Sequence, residues 1–125
     1  MLCQIANGIT PIAQSATYPL TDGTPLSANF AHGLSATPSF IRAVLLCTAN
    51  DTGTGIPAGQ EISMEEIFDG NDVALVFSYQ ADTTKIYLHY NGSAGSICCY
   101  PNNAGGGINN FTSFTNFSLK IYWRA

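Results

Sequence analysis

The clearest hydrophobic pattern in the chain lies at its carboxyl end. From Phe117 to Arg124, the apolar Phe117, Leu119, Ile121 and Trp123 alternate with Ser118, Lys120, Tyr122 and Arg124. A period of two sends successive side chains to opposite faces, so this stretch reads as a half-exposed strand of an antiparallel sheet. Phe40 to Cys47 divides into Ile41, Ala43, Leu45 and Cys47 on one face and Phe40, Arg42, Val44 and Leu46 on the other. Apart from Arg42 both sets are apolar, which suits a strand covered on both sides and predicts the central strand of the core. Lys85 to Tyr90 alternates again, with Ile86, Leu88 and Tyr90 facing away from Lys85, Tyr87 and His89. The β-branched and aromatic run Val73 to Tyr79 pairs with it as a hairpin across a turn at Gln80 to Thr84. Ser96 to Tyr100 is a further strand, stopped by Pro101.

Turn-forming residues separate these runs. The stretches from Thr48 to Gly59 and from Asn91 to Gly95 are loops, and three successive glycines make Asn102 to Gly107 a loop tip. Phe111 and Phe114 are spaced as on one helical turn, yet the Asn and Thr around them are poor helix formers, so no helix is predicted. Short strands divided by such turns predict an all-β chain, an antiparallel β-sandwich of jelly-roll-like type. Pro11, Pro19 and Pro25 interrupt Met1 to Ala28. We therefore expect an extended N-terminal arm over residues 1–28, with one short strand around Ala16 to Leu20, and a sandwich domain over 29–125. Leu2, Ile5, Ile9, Ile12, Tyr18 and Leu20 recur along the arm, which should lie against a neighbour or against its own sandwich.

Composition narrows the choice of function. At 125 residues the chain has room for one core. Charged residues make up 10% of it, against about 25% in an ordinary soluble domain. So neutral a surface predicts that outer faces are covered by sister subunits or a larger particle. The alternative is a monomer coated with Ser, Thr, Asn and Gly. A net charge of −4, with only Arg42, Lys85, Lys120 and Arg124 basic, argues against nucleic acid as a partner. No apolar run reaches the roughly 18 residues of a spanning helix, so membrane insertion is not expected. The first residues lack the cationic region and apolar core of a signal peptide, and the expectation is synthesis in a host cytoplasm.

Candidate chemistry is sparse. Cys3, Cys47, Cys98 and Cys99 show no C-x-x-C spacing and read as buried free thiols. Glu61, Glu65, Glu66, Asp69 and Asp72 hold five of the eight acidic residues and could gather around calcium. Their spacing is not that of an EF-hand, and an exposed acidic loop is commonly just solvated; no metal and no cofactor is assigned. His32, beside Gly33, reads as a hydrogen-bonded turn residue, and His89 as a solvent-facing strand histidine. No Gly-x-Ser-x-Gly elbow and no phosphate-cradling loop is present, so the chain reads as non-catalytic. Tyr79, Tyr87, Tyr90, Tyr100 and Tyr122 were they exposed would suit sugar binding together with the many Asn, though tyrosine serves protein interfaces equally well. Candidate binding residues are Asn50, Asp51 and Thr52 in the first long loop, Tyr87 and His89 on the polar strand face, and Asn102 and Asn103 before the glycines.

One ordered set of residues carries a resemblance. Phe30-x-His32-Gly33-Leu34 is followed by Pro38, by the apolar strand through Arg42 to Cys47, by Gly55-Ile-Pro-Ala-Gly59-Gln60-Glu61, and finally by Trp123-Arg124-Ala125. In that order they resemble a small domain common in bacteriophage tail-fibre and other virion-surface proteins. The likeness covers Phe30 to about Ile62 and the last few residues; Gln60 stands where the family usually has an acidic residue. It implies a virion-surface module, often a homotrimer, placed at a fibre tip for host attachment. The 50–59 and 102–107 loops would then face a host cell-surface glycan, and the arm would dock on other virion proteins. A capsid decoration (cement) protein stabilising the phage head is the alternative, favoured by the lack of a shaft repeat ahead of the domain. A free carbohydrate-binding lectin is the third reading.

Overall fold

A computed structural model of the chain describes residues 11–64, 68–69, 76–92, 98–101, 108–111 and 113–125, with the backbone alone at 68–69, 98–101 and 108–110. The elements are strands: β1 (Ala13–Gln14), β2 (Tyr18–Pro19), β3 (Leu26–Ala31), β4 (Phe40–Cys47), β5 (Glu61–Ser63), β6 (Phe68–Asp69), β7 (Phe77–Ala81), β8 (Lys85–Tyr90), β9 (Cys98–Pro101), β10 (Ile108–Asn110) and β11 (Phe117–Arg124). No α-helix occurs among the described residues. The largest sheet runs β1-β11-β4-β5, with β2 also on β11; a second runs β3-β8-β7 and a third β10-β9-β6. Strand pairing is antiparallel throughout these sheets, so the chain is all-β as its periodicity predicts.

The two strands with the strongest patterns form the spine. β4 and β11 pair from Phe117 opposite Cys47 to Arg124 opposite Phe40, and β4 is interior, flanked by β11 and β5. Ala43, Leu45 and Cys47 of β4 and Phe117, Leu119, Ile121 and Trp123 of β11 enter one hydrophobic cluster. Ile86, Leu88 and Tyr90 of β8 and Phe77 of β7 enter the same cluster. The first two sheets thus share a core. Tyr90 belongs to it at 1% exposure, which corrects its expected place among exposed tyrosines. The cause is its alternation with Ile86 and Leu88, which puts it on their buried face.

The polar face of β11 is less open than its sequence suggests. Ser118 is buried, and Lys120, Tyr122 and Arg124 are half-buried. β11 has neighbours on both sides, β4 on one and the arm on the other. Ser15 donates its N–H to Ile121 O and accepts the Ile121 N–H on its Oγ, while Leu20 N–H reaches Phe117 O. The arm thereby occupies a strand edge that would otherwise leave backbone groups unpaired. Pro19 costs no ladder bond where it sits at the sheet margin. The short strand expected around 16–20 is β2, and the described part of the arm lies on its own chain. The boundary expected after Ala28 falls inside β3, which pairs with β8 from Leu26 to Ala31. Pro25 ends the arm, and Leu26, Ala28 and Phe30 then alternate inward against Ser27, Asn29 and Ala31.

In the hairpin, β7 continues to Ala81, past the turn expected at Gln80. Asp82 is the reason, because its Oδ1 accepts the N–H groups of Thr84 and Lys85 and closes the turn in three residues.

The segment before β11 holds the core together. Phe111 and Phe114 are both fully buried, in irregular chain rather than helix. Phe114 packs against Phe77 at 5.4 Å and Tyr90 at 5.7 Å from the second sheet, and against Phe111 at 5.0 Å and Phe117 at 6.5 Å. Its N–H donates to Asp22 Oδ1 at 2.7 Å, and the Ser113 hydroxyl donates to Asp22 Oδ2. Asp22 sits in the turn closed by the Thr24 N–H to Thr21 O bond. Burial opposes ionisation of Asp22, but the bonds from Phe114, Ser113 and Thr115 outweigh it and lower its pKa.

Truncation of a fully buried phenylalanine removes transfer energy and leaves a cavity. Phe114→Ala should therefore destabilise the chain by about 3–5 kcal/mol, a large share of the roughly 5–15 kcal/mol typical of a domain. The check is a shifted urea midpoint at unchanged slope. Because the Asp22 pKa is lowered on folding, its contribution is present above the ordinary Asp value of about 3.9 and is lost as pH falls through the lower folded value. Asp22→Asn should cost about 1–2 kcal/mol at pH 7, the low part of the charge-assisted range because the carboxylate is partly exposed. The gap between the unfolding midpoints of the two proteins should begin to narrow below about pH 4 and close as pH falls through the lower folded value; a gap independent of pH would refute the role of the charge.

Candidate functional site

The residues that carry the resemblance meet in space. Gly33, at a φ of +74°, turns the chain after β3 where an L side chain would be strained. The Leu34 N–H donates to His32 Nδ1 at 3.1 Å, which leaves the ring proton on Nε2 to donate to Asp82 O at 3.0 Å. His32 N–H donates to Thr84 O, and Trp123 Nε1–H donates to His32 O at 3.2 Å. Phe30 lies 5.0 Å from the Trp123 ring. His32 is 5% exposed and ties the end of β3 to the β7–β8 turn and to β11. It is the hydrogen-bonded turn residue that its place beside Gly33 predicts. Leu34 packs against the core and Pro38 is buried.

The second part of the motif closes the loop after β4. Gly59, at a φ of +92°, donates its N–H to Cys47 O, and the Cys47 N–H reaches Gln60 O. The buried free thiol of Cys47 donates to Ala49 O at 3.0 Å, and burial raises its pKa. Asp51 Oδ2 accepts from Thr54 N–H and Oγ1–H, and Oδ1 accepts from Asn116 Nδ2. Asn50 Oδ1 accepts the Ala58 N–H at 2.9 Å. Asn50 and Asp51 thus have structural partners within the fold; Asn50 and Thr52 are exposed and Asp51 is half-buried.

On the β7–β8 hairpin, Tyr87 OH donates to Asp82 Oδ2 at 3.0 Å. The N–H groups of Thr84 and Lys85 and this phenol hold the Asp82 carboxyl far below the usual carboxylate range, and the same bond raises the Tyr87 pKa. His89 Nδ1 lies 3.3 Å from Ser27 Oγ across the β3–β8 pair. Asn102 and Asn103 lie outside the described residues, as do Glu65, Glu66 and Asp72 of the acidic cluster. No group of three His, Cys, Asp or Glu is placed to hold a metal among the described residues, and no helix there is long and apolar enough to cross a membrane.

A further set of polar groups lies on the outer face of the largest sheet. Arg42 faces Tyr122 in the β4–β11 register, and Gln14 of β1 faces Tyr122 from the other side. Glu61, at the start of β5, reaches back over the same face. Its Oε2 accepts the Tyr122 hydroxyl and lies 3.7 Å from Lys120 Nζ. Lys120 also lies over the Tyr122 ring at 4.9 Å, and its pKa is raised, first by its hydrogen bond to Tyr122 against slight desolvation, then by the charges of Tyr122 and Glu61. Arg124 lies over the Phe40 ring at 5.3 Å. Ile12, Gln14, Phe40, Arg42, Glu61 and Tyr122 line an open concavity of about 410 Å³, within the usual range of small-ligand sites. The Arg42 guanidinium and the Gln14 amide make no hydrogen bond or ion pair to any described residue.

Sequence reasoning singled out Arg42 and Glu61 of this set and missed Gln14, Phe40 and Ile12 as neighbours. The period-two pattern places Phe40, Arg42, Tyr122 and Arg124 on polar or outward faces, so their grouping follows once β4 and β11 are paired. Nothing local in the arm announces that Ile12 and Gln14 join them. No protein-family model, no curated protein and no solved structure matches this chain.

Proposed function

We propose that the chain is a non-catalytic module of a bacteriophage virion surface, a trimeric β-sandwich of tail-fibre or fibre-tip type that serves host attachment. The observation that carries the reading is the convergence of its motif. Phe30, His32 and Trp123, some ninety positions apart, are joined by a ring contact and by the Trp123 to His32 hydrogen bond. Cys47, Gly59 and Gln60 are joined by backbone bonds, and Glu61 reaches Tyr122 beside Trp123. Asp22, Asp51, Asp82 and His32 each hold a turn or loop through hydrogen bonds with backbone groups, which is consistent with a structural use of these side chains.

The sandwich reading rests on the core shared by the first two sheets. The trimer reading rests on the low charge of the chain, which favours cover from sister subunits. A jelly-roll-like order remains part of the proposal. The capsid-decoration reading shares the same fold and differs in copy number, since a cement protein follows the capsid lattice whereas an attachment protein sits at few sites.

Quantitative mass spectrometry of purified particles tests the proposal. Attachment predicts a small fraction of the copies of the major capsid protein, confined to the tail or vertices. A ratio near one, or one per few capsid subunits, would transfer the chain to the head. Absence from particles would remove the virion reading altogether.

A further inference from the structure

We infer that the concavity on the outer face of the largest sheet binds an anionic saccharide, a sugar ring bearing a carboxylate or sulfate, with Arg42 taking the anion. The inference supplies a ligand class for the attachment reading and rests on it for its biological setting, though its chemistry stands on the face itself.

The charge distribution comes first. The chain is acidic overall, with a net charge of −4, yet Arg42, Lys120 and Arg124, three of its four basic residues, lie on this one face. Glu61 is the acidic side chain on these paired strands, and its Oε2 is engaged by Tyr122 and Lys120. Among the described residues the face is positive on balance in a negative protein, which favours an anion there. Lys120 and Arg124 are held against Glu61, Tyr122 and Phe40, whereas the exposed Arg42 fork has no described partner. A guanidinium fork matches a carboxylate or sulfate bidentately.

The rest of the lining selects a polyhydroxylated body for that anion. Phe40, Tyr122 and Ile12 give apolar walls; Ile12, at 52% exposure, is the exposed large hydrophobic residue of the described chain. Gln14 offers an amide donor and acceptor, and Glu61 keeps Oε1 as an acceptor beyond its contacts through Oε2. A saccharide presents an apolar C–H face to such walls and hydroxyls that both donate and accept. A simple inorganic anion would leave the amide, carboxylate and rings unused. The concavity is open, as suits an oligosaccharide that enters and leaves along the sheet surface.

Titration calorimetry and ligand-observed NMR on the full chain test this with a galacturonic acid tetramer, its fully methyl-esterified form, and a sulfated galactan tetramer. At least one acidic tetramer should bind, at least tenfold more tightly than the methyl ester, and which one binds identifies the anion. Arg42→Gln, an exposed substitution, should reduce that affinity at least tenfold. Lys85→Gln, which removes the same charge from the other sheet, should leave it unchanged. No binding of either acidic tetramer at 10 mM (about 3 kcal/mol of binding free energy), equal binding of the ester, or equal losses from the two substitutions would overturn the inference. Binding by a protein absent from particles would retire the attachment reading and keep the site; particle-borne protein that binds neither tetramer would do the reverse.

Discussion

The fold depends on one buried contact, the meeting of Phe114 with rings from both sheets. Phe77 and Tyr90 approach it from the β7–β8 hairpin, and Phe117 from the strand that pairs with β4. A sheet with one apolar face must find a second layer to cover it, and aromatic rings contribute most area per residue to that cover. Phe114 can act as the link because its backbone is anchored from outside the cluster. The Asp22 carboxylate accepts its N–H, so the irregular segment before β11 is satisfied without a helix or a strand. The hub, the anchor and the start of β11 are one unit.

The same economy explains where the few charges go. Asp22, Asp51 and Asp82 each direct carboxylate oxygens at backbone N–H groups of a turn or loop: Phe114 for the first, Thr54 for the second, Thr84 and Lys85 for the third. Asp51 and Asp82 reach backbone donors two or three positions along the chain, as a short acidic side chain does well, whereas Asp22 reaches a donor 92 positions away. The basic residues have no comparable role in turns. They extend from the strands instead, and three of them emerge on one face of one sheet. Three of the described acidic side chains are thus engaged in closing turns and loops while three of the four basic ones share a sheet face, so among the described residues that face is positive on balance.

What could be read from the sequence follows physical range. β4 and β11 were legible because their faces are decided residue by residue by a period of two, and a strand with two apolar faces has to be interior. His32 was legible as a turn residue because Gly33 follows it. The role of Phe114 was not, because spacing between Phe111 and Phe114 describes neither helix nor strand, and its partners lie far along the chain. Tyr90 misled for a related reason: tyrosine is amphipathic, and only its phase with Ile86 and Leu88 decides its burial. The limits of the arm were obscured by its prolines, which exclude a central strand but permit the short edge pairings that β1 and β2 make with β11.

The outer face inherits its geometry from the core. Trp123 pairs with Ile41 and Tyr122 with Arg42, so the side chains that lock the interior also set which groups stand opposite each other outside. Trp123 is held by Phe30 and by the carbonyl of His32, and that pair of contacts determines the phase of β11 near its end. A slip of one residue would send Arg42 inward and Ile41 outward, at the cost of an unpaired buried guanidinium. The register is consequently strongly specified, although the concavity itself is open and its lining half-exposed. The motif residues need not touch a ligand to matter for one: by fixing the phase of a strand, Phe30, His32 and Trp123 hold Arg42, Tyr122 and Phe40 on the opposite face in a constant relation.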